Sequence, residues 1–287
     1  MTDDDWDLLM GRIKDGACTP FIGAGAAAGT LPLGGEVAKN WADAHHYPFP
    51  NKSDLVEVSQ FLAVNKDPMW PKEEIQRELS GKGPPDFGDP SEPHRVLADL
   101  DLPLYITTNY DDFMTQALRR RGREPVQEIC KWNGHYRVKN DPAPLKGKQR
   151  DVPTPEKPVV FHLHGRLGIP ESFVLTHDDF LDFIVATGKR QAKPIPGRIE
   201  EALTSTSLLF IGYSLQDWNF RVLHRGLVTT RDPSLRRISV TVQMNEDPKE
   251  QAYLDKYFSS MDVSVFYGKA HEFCEKLRER WDKAKNE

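Results

Sequence analysis

Four short clusters of chemistry-bearing residues stand out in the sequence, and each sits at the downstream end of an apolar run. The first is Gly23-Ala24-Gly25-Ala26, after Pro20-Phe21-Ile22. Glycines let backbone approach a phosphate closely and the following amides can donate to it, although a tight strand-to-helix turn wants glycine for steric reasons alone. The second is Thr107-Thr108-Asn109-Tyr110-Asp111-Asp112. Its plain reading is a helix cap, by Thr108 or Asn109, with acids complementing the helix dipole. The carboxamide of Asn109 adds what a cap does not need, a group that both donates and accepts. In the third, Phe161-His162-Leu163-His164-Gly165, strand alternation puts His162 and His164 on one face. Two such histidines suit a metal, but no third Cys, Asp or Glu ligand lies close in sequence. His164, beside the glycine at the strand tip, reads as an acid–base or hydroxyl-binding group, and His162, deeper in the strand, as a core histidine. The fourth is Phe210-Ile211-Gly212-Tyr213-Ser214-Leu215-Gln216-Asp217. Ser214 can hydrogen-bond a ribose or phosphate or simply close a turn, and Asp217 suits the N-cap of a helix from Trp218 to Gly226.

The runs that deliver these clusters are continuous rather than alternating: Leu104–Thr107, Val159–Phe161, Leu208–Ile211, and further on Ile238–Val242 and Val263–Phe266. Amphipathic segments separate most of them, beginning with Asp3–Asp15 and ending with Ala270–Lys283. Continuous apolar strands alternating with helices predict an α/β fold, a doubly wound parallel sheet covered on both faces. Ligands of such sheets bind at the carboxyl ends of the strands, where all four clusters fall. Residues 1–287 read as a single domain with a helical insertion at 41–93. Within it, Asp54 to Leu79 has a helical pattern, with a break expected at Pro68 and Pro71. The stretch Asn140–Pro158, rich in Pro, Lys and Asp, reads as an exposed loop.

Composition bounds the function further. The chain has 287 residues, 38% hydrophobic content and a net charge of −5, which disfavours nucleic-acid tracking over the whole surface. The run Arg119-Arg120-Arg121-Gly122-Arg123 leaves a local nucleic-acid contact open; its plainer reading is a solvated helix end. Three cysteines far apart in sequence, Cys18, Cys130 and Cys274, build no zinc knuckle and suit a reducing compartment. No apolar run reaches membrane-spanning length and the first residues are acidic, so the expectation is a cytoplasmic protein without a membrane partner.

In this order and on these strand ends, the four clusters resemble the sirtuin fold. Gly23-Ala24-Gly25 is similar to that family's Gly-Ala-Gly turn, and Thr107-Thr108-Asn109-Tyr110-Asp111 to its Thr-Gln-Asn-Ile-Asp motif. His164-Gly165 matches its His-Gly pair, and Gly212-Tyr213-Ser214-Leu215 stands where the family has Gly-Thr-Ser-Leu. The resemblance implies a Rossmann-like fold that binds NAD. Gly23, Ala24 and Gly25 would line the pyrophosphate. Thr108 and Asp111 would belong to the cofactor site, with Asp111 and Asn109 at the nicotinamide ribose and Asn109 placing the attacking group. His164 would activate a ribose hydroxyl, and Gly212 and Ser214 would hold the adenosine side. The departures narrow the branch. The four-cysteine zinc module of sirtuin deacylases is missing, and after Gly165 the chain runs Arg166-Leu167-Gly168-Ile169-Pro170 rather than Phe-Gly-Glu. This pattern resembles the bacterial sirtuin-like branch that hydrolyses NAD in antiphage defence.

The expected activity is therefore metal-free NAD+ hydrolysis, with Asn109 and His164 as the catalytic residues. An NAD-dependent protein deacylase, a non-catalytic NAD or ADP-ribose binding subunit, and a scaffold subunit are the alternatives. A free NADase would kill its host, so the resemblance implies gating: a homo-oligomer and a separately encoded activator, a hexameric DNA-translocase-type ATPase being the first expectation. The insertion's apolar positions, Leu55, Val58, Phe61, Leu62, Ile75 and Leu79, either pack on the main domain or form a lid and subunit contact.

Overall fold

The computed structural model describes residues 1–134, 152–188, 194–213, 239–243 and 247–286. Its centre is a seven-stranded, wholly parallel sheet: β1 (Cys18–Ile22), β2 (Leu104–Thr107), β3 (Val126–Ile129), β4 (Val159–His162), β5 (Ser207–Ile211), β6 (Ser239–Gln243) and β7 (Val263–Tyr267), in the order β3-β4-β2-β1-β5-β6-β7. From β1 the chain lays down β2, then the edge strand β3, returns to place β4 between them, and only then crosses to β5 on the other side of β1. That reversal opens a crevice above the β1 and β5 ends, the place where doubly wound sheets take ligands. Pro20 lies in this central strand, and the ladder to β2 begins only after it, at Phe21↔Ile106.

Side chains alternate across the sheet into two cores. One holds Ile22, Tyr105, Val160, Leu209 and Val240 under α1 (Asp3–Lys14), α5 (Pro93–Asp99), α6 (Phe113–Arg120) and the C-terminal helix (Ala270–Asn286). The other holds Phe21, Ile106, Phe161, Phe210 and Val265 under α7 (His177–Gly188), α8 (Gly197–Ser205) and α9 (Pro248–Ser259). The α/β doubly wound reading therefore stands.

A third cluster joins α2 (Gly34–Ala44), α3 (Leu55–Asn65) and α4 (Trp70–Leu79) to Phe173 and Leu175. Asp54 caps α3 through the amides of Val56 and Glu57. The expected break falls between α3 and α4, but Pro71 opens α4 rather than ending a helix, because the first helical turn needs no donor there. Val58, Leu62 and Ile75 are buried in this cluster, with Leu55, Phe61 and Leu79 packed against it. All six positions thus take part in the packing of this cluster. Strand β3 was not expected from sequence; it is an edge strand with Val126 exposed. Of the proposed loop, residues 152–158 carry no helix or strand and the earlier part lies outside the described residues. No helix among the described residues is long and apolar enough to cross a membrane.

Candidate active site

The ends of β1, β2 and β5 are laced into one surface by hydrogen bonds. Gly23 N–H donates to Ile211 O at 2.8 Å, Gly25 N–H to Gly212 O at 2.9 Å, and Thr108 N–H to Ile22 O at 3.0 Å. These contacts explain the glycines. A Cβ on Gly23 would stand 2.7 Å from Gly212 O, and one on Gly212, at φ +83°, would stand 2.4 Å from Ala26 N. Close backbone approach is thus what Gly23, Gly25 and Gly212 provide, and the Gly23 and Gly25 amides are taken by β5. Of the first cluster, Ala24 is exposed at the rim.

Side chains complete the lacing. Tyr213 O–H donates to Ile22 O at 3.0 Å, which leaves its oxygen to accept from Thr108 Oγ1 at 2.8 Å. Asn109 Nδ2 donates to Gly23 O at 3.1 Å, tying the β2 end to the glycine turn. The expected cap of α6 therefore comes from neither Thr108 nor Asn109. The residue at the cap is Asp112, whose side chain makes no capping bond; Asp111 just before it steadies the entry, its Oδ1 accepting from Phe113 N at 3.0 Å. Burial pushes the Asp111 carboxyl pKa up, against the opposing pull of His94. The only sign of Tyr213 in the sequence is its place inside the glycine turn.

On the other side of β2, β4 pairs in register, Thr107↔His162, so Asn109 and His164 each follow that pair by two residues. Strand β4 ends at His162, and alternation does not carry through to His164. The two rings accordingly have different surroundings, which corrects the same-face expectation. His162 Nδ1 lies 3.4 Å from Asn109 O. The His164 ring meets Phe180 and Phe183 of α7 edge-on, with centroids at 5.3 and 5.2 Å. Both histidines are buried, and burial drives their pKa values down, to about 4 for His162 and about 3 for His164. Each Nε2 is buried without a hydrogen-bond partner among the described residues. Such a group costs about 1–3 kcal/mol unless something arrives to satisfy it. Among the described residues, no group of three or more His, Cys, Asp or Glu is placed to hold a metal. Ser214, Asp217 and the helix expected from Trp218 lie outside the described residues.

The site is chemically specific. The β2 end carries a carboxamide with Nδ2 fixed, so Oδ1 has a set direction; past the β4 end a neutral imidazole sits against Phe180 and Phe183; and at Gly23 and Gly212 the backbone is too close for a side chain.

The chain is similar to proteins already known. Proteins named NAD(+) hydrolase ThsA are similar to it: 28% identical over 220 residues in Acinetobacter baumannii (strain 532279), and 27% over 213 residues in Cytobacillus dafuensis. Each alignment takes in 74% of this chain but only 39% and 38% of the relative, so the chain spans about two-fifths of their length. The Bacillus cereus (strain MSX-D12) protein of the same name is 28% identical over 186 residues, 64% of this chain and 35% of its own. A solved structure from work on the mechanism and regulation of Sir2 enzymes aligns over 100% of both chains at 15% identity and a TM-score of 0.49. The SIR2-like domain family model matches residues 103–265, from the start of β2 into β7. With that match covering more than half of its length, the chain belongs to the SIR2-like family.

Proposed function

We propose that this chain is an NAD+ glycohydrolase that releases nicotinamide and ADP-ribose. The observation that carries the reading is the Asn109–Gly23 bond, which fixes a carboxamide at the β2 end by its Nδ2 and so sets the direction of its oxygen. Relatives named as NAD(+) hydrolases support it.

Cleaving the nicotinamide–ribose bond passes through an oxocarbenium-like state, so water must approach one face while the other is held. Asn109 Nδ2 is committed to Gly23, and Oδ1 accepts a hydrogen bond from that water and orients it. His164 is neutral, so its ring nitrogen can accept from a ribose hydroxyl, which would satisfy the buried Nε2. Gly23, Gly25 and Gly212 keep the crevice floor bare, and Ala24, Thr108, Asp111 and Ser214 belong to the same proposed cofactor site. At the scale of the cell, the reading is NAD depletion in antiphage defence, in the cytoplasm, by a self-assembling chain switched on by a separately encoded partner.

Products formed in 18O-labelled water test the chemistry. Hydrolysis places one 18O in ADP-ribose without any peptide present. Nicotinamide release only when an acyl-lysine peptide is supplied would make the chain a deacylase, and NAD binding without products would make it a binding subunit.

A further inference from the structure

Three ties join the α3–α4 lobe to the segment that follows His164. Gln76 Oε1 accepts from Gly168 N at 3.1 Å. Gln60 exchanges two bonds with Asp178, Nε2 to Oδ2 at 2.8 Å and Asp178 N to Oε1 at 3.0 Å. The third is an ion pair, Lys72 Nζ to Asp179 Oδ1 at 2.6 Å, with both side chains about nine-tenths buried. Lys72 also faces the Trp132 ring, 5.6 Å from its centroid, and Trp132 Nε1 holds Ser172 O at 2.9 Å.

Asp179 does two things at once. Its Oδ2 accepts from Leu175 N and Thr176 N at 3.1 and 3.0 Å, while its own N–H donates to Thr176 Oγ1 at 3.2 Å. That reciprocal pair is a capping box, and it sets the first turn of α7. The next residue, Phe180, and Phe183 one turn on are the two rings that meet His164. A buried ammonium needs a carboxylate, and a buried carboxylate in an apolar cluster needs a cation, so neither end tolerates displacement of the other.

We propose that Lys72 and Asp179 form a positioning pair by which the α3–α4 lobe fixes the first turn of α7, and with it the orientation of the His164 ring. The proposal rests on the NAD-hydrolase reading for its kinetic consequence and on geometry alone for the coupling. The lobe is then part of the catalytic frame rather than a cover, and whatever shifts the lobe also shifts the base. Neither residue touches the reacting atoms, so the pair acts on turnover rather than on substrate affinity.

Histidine ring resonances of 15N-labelled protein, with His164 assigned through His164→Gln, read the coupling directly, and NAD kinetics read its consequence. Lys72→Met is expected to move the His164 ring signals and leave those of the surface histidine His271 in place. In the same variant kcat falls about tenfold or more while KM changes less than about threefold, and Lys72→Arg restores both readouts. Because Lys72→Met leaves a buried carboxylate unpaired, Lys72→Met/Asp179→Asn removes both charges while keeping a cap oxygen; the same ring shift is expected there. Unmoved His164 signals in a folded Lys72→Met or double variant would overturn the proposal, as would a loss shared equally by KM and stability that Lys72→Arg does not repair. If the wild type turns over no NAD, the functional reading fails, and the ring signals still decide the coupling.

Discussion

His164 owes its neutrality to burial against Phe180 and Phe183 rather than to a partner, and this has two consequences with definite signs. For catalysis, a base already deprotonated far below neutrality gives no histidine inflection in kcat/KM between about pH 5.5 and 7.5. A pH–rate profile checks this, and an acid limb centred near the ordinary histidine value of about 6.5 would contradict it. For stability, the folded pKa values of His162 and His164 lie below those of the unfolded chain. The unfolded chain then takes up protons below about 6.5 that the folded chain refuses, so stability is full above that pH and declines toward 4 and 3. The loss grows as pH falls through that window. Urea unfolding at pH 7 and pH 5 measures the drop, which should shrink in His164→Gln; equal stabilities at the two pH values would refute the assignment.

At the scale of elements, the β1–β5 crevice stands on three glycines and the lobe on a small aromatic core. Gly212→Ala forces a Cβ to within 2.4 Å of Ala26 N and 2.5 Å of Gly23 O at φ +83°. Both neighbours are backbone and cannot step aside, so a loss of about 2 kcal/mol or more is expected by thermal melts, together with loss of NAD binding. A variant as stable as wild type would show that the turn relaxes freely. In the lobe, Leu62 is 1% exposed and Val64 is 74% exposed. Leu62→Asp buries a charge without a partner and is expected to cost about 3–5 kcal/mol whatever the assembly state. Val64→Asp, by contrast, leaves the fold intact and tests the proposed subunit contact alone. An unchanged elution volume for Val64→Asp in size-exclusion chromatography, at concentrations where the wild type self-associates, would remove this face of α3 from the contact.

Over the whole molecule, what sequence could show was whatever lies in consecutive residues. The buried strands are legible because parallel strands covered on both faces read as unbroken apolar runs, as in Leu208-Leu209-Phe210-Ile211. Strand β3 is not, because Val126-Gln127-Glu128-Ile129 at the sheet edge is half polar. The strand-end clusters are legible for the same local reason, but their internal division of labour is not. That the Asn109 side chain ties the β2 end to the glycine turn depends on Gly23, 86 positions away in sequence, lying within reach of its Nδ2. The Lys72–Asp179 pair joins residues 107 positions apart, and only the Thr176-x-x-Asp179 capping pattern at one end was readable in advance. The central claim is that the fixed Asn109 carboxamide turns over NAD at this crevice. NAD consumption by the purified chain and by Asn109→Ala, each confirmed folded by circular dichroism, tests it most directly. The account expects wild-type release of nicotinamide and ADP-ribose in equal amounts, and a fall of about 10²–10³ in rate for Asn109→Ala with a stability loss near only ~1 kcal/mol from the missing Gly23 bond. A folded Asn109→Ala protein that consumes NAD at the wild-type rate would contradict it.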